Sequence, residues 1–336
     1  MLALIFFIHA SSPVWEVNLN DFEMYQPGYV AVADSGTVCV ADQIGCRLLL
    51  FSGNGKFIKA VGRKGEGPGE FQTIRRIFWD QTQNVFLAID TSLGRVTVLK
   101  GQDFVKEVKI PHEGLFQYVN DDFLAKNELY AKKLDPQDAK VYRIPLGSEE
   151  TEILFEFPNH DFPGGSFKMN GRTMNYSYKW HSSLMVQFGT KSFAITDTAT
   201  TKVDLISLLP NTPPMSMEIT FPRIEVTEKD SEVALSTMPP TFRSSLATQL
   251  KPPKYWPLVA GLFFAENDKF YMCGQPKEGK SHIAALLPSG QFAYGTVPGI
   301  PSVIRNGYGY YLAERNDKLV LFKEGLPKAS LTNKTL

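Results

Sequence analysis

The segment Pro27–Phe71, PGYVAVADSGTVCVADQIGCRLLLFSGNGKFIKAVGRKGEGPGEF, decides the fold. It opens with an apolar run, Tyr29–Val32, turns at Asp34, Ser35 and Gly36, and resumes as a second run, Val38–Ala41. Asp42 and a short loop lead to a third run, Arg47–Phe51, and Ser52, Gly53, Asn54 and Gly55 turn the chain into a fourth, Phe57–Val61. Short runs rich in β-branched and aromatic residues, punctuated by Gly, Asp and Asn, read as antiparallel strands joined by tight turns. Four in succession predict a four-stranded meander, a unit of about 40 to 50 residues.

The corner between the second and third strands recurs along the chain. An acid followed five positions later by a base stands at Asp42 and Arg47, Asp90 and Arg95, Asp135 and Lys140, and Asp197 and Lys202. Each base begins an alternating strand: RLLLF, RVTVL, KVYRI and KVDLI. Two further strands, KSHIAAL from Lys280 and KLVLF from Lys318, share the basic start. Six such units predict an all-β fold, a six-bladed β-propeller of four-stranded antiparallel blades. The stretches from Lys140 to Lys202 and from Lys202 to Lys280 exceed one blade, so insertions are expected at about 159–181 and 210–257, with a helix at Thr241–Leu250 in the second. The acid–base pairs are expected to be structural clamps, the two side chains meeting over the turn while the acid accepts backbone N–H groups.

Ring closure has its own signal. The last unit, Val303–Phe322, shows only three strands, while Val14–Leu19 is a spare strand ahead of the first unit. Pairing the two completes the sixth blade and hides an exposed edge. The propeller is then expected to cover 13–326, followed by a polar tail over 327–336.

The ordered set Pro27, the VAVA strand, Gly36, Val40-Ala41-Asp42, Arg47, Phe51, Gly55, Phe57, Gly62, Gly65, Gly67, Gly69 and Phe71 resembles the NHL repeat nearly end to end. The second unit keeps the pattern more loosely. The later ones keep strand period, turns and basic start, similar to the divergent six-bladed propeller proteins of bacterial envelopes. Gly65, Gly67 and Gly69 are not a phosphate loop, because no Lys-Ser or Lys-Thr follows and no helix pattern opens. Their expected role is to permit positive φ where the chain crosses between blades, with Phe71 plugging the gap.

Composition narrows the function classes. Thirty-five basic residues balance 35 acidic ones, so no overall field draws the chain toward a polyanion, and nucleic-acid binding is not expected. Residues 1–12 join an apolar run, Leu2–Ile8, to Ala10, Ser11 and Ser12; they resemble a truncated secretory signal peptide. A periplasmic or extracellular monomer with no membrane span in the mature chain is expected. Cys39, Cys46 and Cys273 are an odd number without a CxxC pair, and buried free thiols are expected.

The resemblance implies ligand binding on the face made by the blade-to-blade links and corner loops. Aligning the starts of the inner strands brings Tyr29, Arg75, Arg76, Gln117, Trp180, His181, Tyr255, Trp256 and Arg305 to the channel mouth, with Arg63, Lys64 and Glu66 on the adjoining link and Tyr178 in the first insertion. Arginines and aromatic platforms there suit an anionic or sugar-like ligand through forked hydrogen bonds and stacking. The expected function is an exported binding or scaffold protein for a small molecule, glycan or protein segment. The alternative is a metal-dependent lyase or lactonase-like propeller enzyme. The histidines His112, His160, His181 and His282 and the polar residues Asn120, Asp121 and Asn306 do not by spacing form a ligand set. No cofactor is expected, although a divalent Ca or Zn ion in the channel stays open.

Overall fold

The computed structural model describes residues 12–24, 26–110, 117–118, 128–134, 138–145, 152–158, 164–169, 172–177, 184–208, 212–236 and 253–327. Residues 1–11 and the anticipated helix at Thr241–Leu250 lie outside these. Six four-stranded antiparallel sheets form the blades, and a separate hairpin, Gly164–Met169 with Arg172–Ser177, follows the third blade and precedes the fourth in chain order.

Blade one runs in chain order from the channel outward through Pro27–Val32, Val38–Asp42, Arg47–Phe51 and Phe57–Val61. Blades two to five repeat this meander, their inner strands being Ile74–Asp80, Gln117–Tyr118, Leu184–Phe188 and Val259–Phe264. Blade six is different. Its inner three strands, Val303–Arg305, Tyr308–Arg315 and Lys318–Gly325, are consecutive, but its outer strand is Trp15–Asn18, paired antiparallel from Trp15 opposite Lys323 to Asn18 opposite Val320. The closure expected from the spare N-terminal strand is the observed one.

Burial explains why the second strand of blade one reads as a continuous apolar run. Val38 and Val40 pack toward blade six, beside Tyr310 and Leu321, while Cys39 and Ala41 pack toward blade two, beside residues such as Ile77 and Phe86. A strand covered on both faces has no polar side to show. Equivalent layers join blade four to five through Val203, Phe264 and Met272, and blade five to six through Cys273, Tyr311 and Phe322. Tyr142 of blade three packs on blade two, and Leu154 of blade three packs on blade four. Each fully buried Leu or Phe in such a layer contributes about 1.5–3 kcal/mol. The layers therefore hold the ring together around its whole circumference.

The three cysteines are buried and free, with Cys39 opposite Leu50. On the link from blade one to blade two, Gly62 has φ +85° and a Cβ there would strike the ring of Phe71, which is fully buried in the gap between the blades. Gly69 is also at positive φ, whereas Gly65 and Gly67 are not.

The second insertion contains structure that the sequence pattern did not announce. Ile224–Val226 runs antiparallel to Lys254–Trp256, and the helix Glu228–Ser236 begins beside them. Asp230 accepts from the Thr227 backbone N–H and hydroxyl and from Trp256 Nε1, 3.4 Å away.

Candidate functional site

In a meander blade the inner strand begins at the link from the preceding blade and ends at its own first turn. All links therefore lie at one end of the central channel, and all first turns at the other. The channel holds a cavity of about 360 Å³ lined by the inner strands of blades one, two, four, five and six.

At the link end, three inner strands start with a β-bulge, between Pro27 and Val30, Ile74 and Arg76, and Val259 and Gly261. A bulge adds one residue and re-aims the side chains beside it. In blade two the extra residue is Arg75, which is exposed, and the shift leaves Arg76 on the cavity wall. The Arg76 guanidinium lies 5.3 Å from the centre of the Tyr29 ring and 5.4 Å from that of Phe78. Cation–π contacts of this geometry contribute about 0.5–2 kcal/mol and hold the fork in place.

At the opposite end, side chains join the described first turns of blades four, five, six, one and two. Thr190 and Lys191 of blade four donate their backbone N–H groups to Asp268 of blade five, at 2.6 and 3.1 Å. Glu266 of blade five accepts from the Asn306 backbone N–H of blade six, and the Asn306 amide donates to the Asp34 carbonyl of blade one. Arg305 carries these ties to blade two: Nε and Nη2 donate to Asp34 Oδ1, and Nη2 also to Gln81 Oε1 of blade two, 3.2 Å away.

Arg305 therefore lies at the first-turn end of its strand, 7% exposed, and not at the link end where its alignment set it. The inner strand of blade six is only Val303–Arg305, so the position that begins other inner strands ends this one. Tyr255 and Trp256 are likewise drawn away from the cavity wall. They belong to the insertion ladder, where Arg223 and Lys254 lie over the Tyr255 ring at 5.6 and 5.1 Å. Arg63 pairs with Glu70 at 2.7 Å; that hydrogen bond first, and the Gly67 N–H second, hold the Glu70 carboxyl below its usual range. The backbone of Lys64 bridges to Phe71. Gln117 lies on the inner strand of blade three. Tyr178, Trp180, His181, Asn120 and Asp121 fall outside the described residues. His282 sits on the third strand of blade five, its pKa pushed down by burial.

Of the expected corner clamps, Asp42 and Arg47 pair at 2.9 Å. Arg95 stands opposite Asp90 in register, but its guanidinium goes to Glu107 at 2.8 Å and to link carbonyls. Lys140 pairs with Glu156, and Asp135 is outside the described residues. Lys202 lies 3.5 Å from Asp204, while Asp197 caps the Ala199 N–H. The spacing predicted an ion pair over each turn; in blade two a carboxylate on the adjacent strand takes the cation, and in blade four one two residues along the same strand does. Among the described residues no group of three His, Cys, Asp or Glu is placed to hold a metal ion, and no helix is long and apolar enough to cross a membrane.

Reasoning from sequence overlooked the first-turn residues Asp34, Gln81, Glu266 and Asp268, and the wall residues Trp79 and Gln187. The available signal was an acid or amide just past the inner strands of blades one, two and five.

Fold and cavity together define a six-bladed propeller with a cavity in its central channel and hydrogen bonds joining neighbouring first turns at one end. The profile of the DUF5128 family, described as a 6-bladed beta-propeller, matches residues 19–206, more than half of the chain, and the protein belongs to that family. No curated protein sequence matches it. Among solved structures, a DUF4221 family member from Bacteroides vulgatus is similar with a TM-score of 0.56 at 8% identity, covering 94% of this chain and 97% of that one. A Bacteroides fragilis protein described as exported is similar with a TM-score of 0.51 at 13% identity, covering 90% and 91%. Virginiamycin B lyase from Staphylococcus aureus gives a TM-score of 0.46 at 10% identity, covering 93% and 99%. At these identities the likeness is one of fold.

Proposed function

We propose that the protein is an exported binding or scaffold protein that receives its ligand at the link end of the propeller channel. The observation that carries this reading is Arg76, set by a bulge on the open cavity wall between the rings of Tyr29 and Phe78. Such a group sets a cation beside aromatic faces on the wall, a combination suited to an anionic, sugar-like or peptide ligand. A cavity near 360 Å³ falls at the lower end of the usual small-molecule range, about 300–1,000 Å³. Export is supported by the leader-like start of the chain, and the B. fragilis protein of similar fold is itself described as exported. The blade-one pattern, Pro27–Phe71, supports reading the repeats as NHL-like.

The direct test is thermal-shift screening of the purified protein against small carboxylates, saccharides and short peptides, repeated with Arg76→Ala and Tyr29→Ala. Stabilisation by one class, lost in both variants, is the expected result; equal stabilisation of the variants would move the ligand elsewhere on the ring. The reading requires no metal. Elemental analysis is expected to find neither zinc nor calcium in stoichiometric amount, and finding either would favour the metal-dependent lyase or lactonase class instead.

A further inference from the structure

Part of the cavity wall is main chain. The side chains of Val30 and Val32 enter the layer toward blade six, and those of Leu262 and Phe264 the layer toward blade four, yet all of these residues line the cavity. They line it with the inner edges of their strands. Along an antiparallel edge strand, alternate residues exchange both backbone hydrogen bonds with the neighbour, and the residues between them turn N–H and C=O the other way. The first turns fix which residues these are. Ala33 donates its N–H to the Thr37 carbonyl at 2.8 Å, and counting back through the register makes Ala31 the next residue bonded to the second strand, opposite Cys39. Val30 and Val32 therefore turn their backbone groups to the channel. Ala265 donates to the Lys269 carbonyl at 2.9 Å, so Phe263 is bonded opposite Tyr271, and Leu262 and Phe264 turn theirs to the channel from blade five.

Among the described residues, no hydrogen-bond partner meets these outward groups. An unpaired N–H or C=O away from bulk water costs about as much as a lost hydrogen bond, so the edge favours whatever supplies donors and acceptors at its own spacing. That spacing is every second residue, about 6.6 Å along the strand. Another extended chain repeats at that distance; a sugar ring or a lone carboxylate does not. An open strand edge is the general template for one more strand. The surrounding blades keep a large partner from this edge, but the mouth beside Tyr29 and Arg76 leads onto the edge of blade one, where the cavity of about 360 Å³ begins.

We propose that the channel takes a short extended peptide segment with small side chains, which lies antiparallel on the inner edge of blade one as an added strand. The first and third residues of a three-residue stretch stand opposite Val32 and Val30 and exchange N–H and C=O bonds with them, while the middle residue turns its backbone away. This rests on the channel-binding reading above and narrows it from several ligand classes to peptide main chain. Recognition is then by backbone, and the segment is selected for slimness and extension more than for any one side chain.

The probe is trialanine blocked by an acetyl group and a terminal amide, which is neutral and offers little besides its backbone. Amide hydrogen exchange is followed in the full chain with nitrogen-15 valine. In the free protein, Val30 and Val32 are expected to exchange at least tenfold faster than Val38 and Val40, their register partners on the interior strand. Saturating peptide is expected to slow Val30 and Val32 about tenfold and leave Val38 and Val40 unchanged. Trialanine N-methylated at the first and third residues is expected to bind at least tenfold more weakly than trialanine N-methylated at the middle residue. If Val30 and Val32 already exchange as slowly as Val38 and Val40, the edge is not open and the proposal is overturned. If the two methylated peptides bind alike, or the peptide raises Tm without slowing Val30 and Val32, strand pairing is overturned while a channel ligand stands. If trialanine neither raises Tm nor slows exchange, strand pairing fails; if the carboxylate and saccharide screens are also blank, the channel-binding reading fails with it.

Discussion

Blades one and two carry the same corner, an acid and a base five residues apart, and the corners are held by different bonds. Both pairs stand directly opposite in register, Asp42 with Arg47 and Asp90 with Arg95. In blade one the guanidinium binds Asp42 and reaches the Phe22 carbonyl at 2.5 Å. In blade two it turns from Asp90 to Glu107 and to the carbonyls of Glu66, Gly67 and Glu70. Asp90, fully buried, takes four backbone N–H groups: Gln72 and Thr73 from the incoming link, Ser92 and Leu93 from its own turn. What the corners share is the target. Phe22 lies on the segment joining the closing strand of blade six to blade one, and Glu66 to Glu70 lie on the link from blade one to blade two. Each arginine fastens its blade to the chain arriving from the blade before, so the motif is a joint between blades more than a clip within one.

That comparison ranks the expected losses. Removing Pro13–Asn20 deletes both the outer strand of blade six and buried Leu19, and breaks the one joint that closes the circle. A cost above about 4 kcal/mol is expected, a fall in Tm of about 6 °C or more. A melt indistinguishable from that of the full chain would show that the ring does not depend on its closure. Next comes Asp90→Ala, which strands four buried donors and is expected to cost about 3 kcal/mol by urea unfolding, more than Asp42→Ala, whose carboxylate meets one N–H and one guanidinium. The arginines should differ in the same sense. Arg95→Met loses three carbonyls and a carboxylate and should cost about 2 kcal/mol, Arg47→Met about 1 kcal/mol. Equal losses would mean that the arriving link contributes nothing and that the in-register pairing alone matters.

The same contrast shows what the sequence could and could not convey. Blade number, strand order and closure were legible because each rests on local pattern: turn residues, alternation, and a strand without a partner. The corner register was legible for that reason too. The destination of Arg95 was not, because it depends on a link folded over the corner by glycines at Gly62 and Gly69, which no spacing rule encodes. Arg76 was found from its place at the start of an inner strand. Arg305 was assigned to the wrong end of the channel because one inner strand is three residues long. Tyr255 and Trp256 were displaced by an insertion whose ladder brings together residues nearly thirty positions apart.

The buried acids extend the comparison to blade six. Asp90 is surrounded by donors; Glu324, 3% exposed on the strand that receives Trp15–Asn18, is not, and burial pushes its carboxyl above the usual range although Arg315 opposes the shift. A carboxyl whose folded pKa is raised favours the folded state in its neutral form. Its stabilising effect is present below the unfolded pKa, about 4.3, and is lost as the pH rises through the folded value. Glu324→Gln keeps the shape and removes the charge. The variant is expected to match the wild type near pH 4 and to exceed it at pH 7 to 8 by no more than about 1 kcal/mol, the smallest effect of the series. Melting both proteins across that range reads the difference directly. A deficit for Glu324→Gln at pH 8 would mean that the carboxylate is bonded in the folded ring as Asp90 is, and that blade six closes on a charge rather than in spite of one.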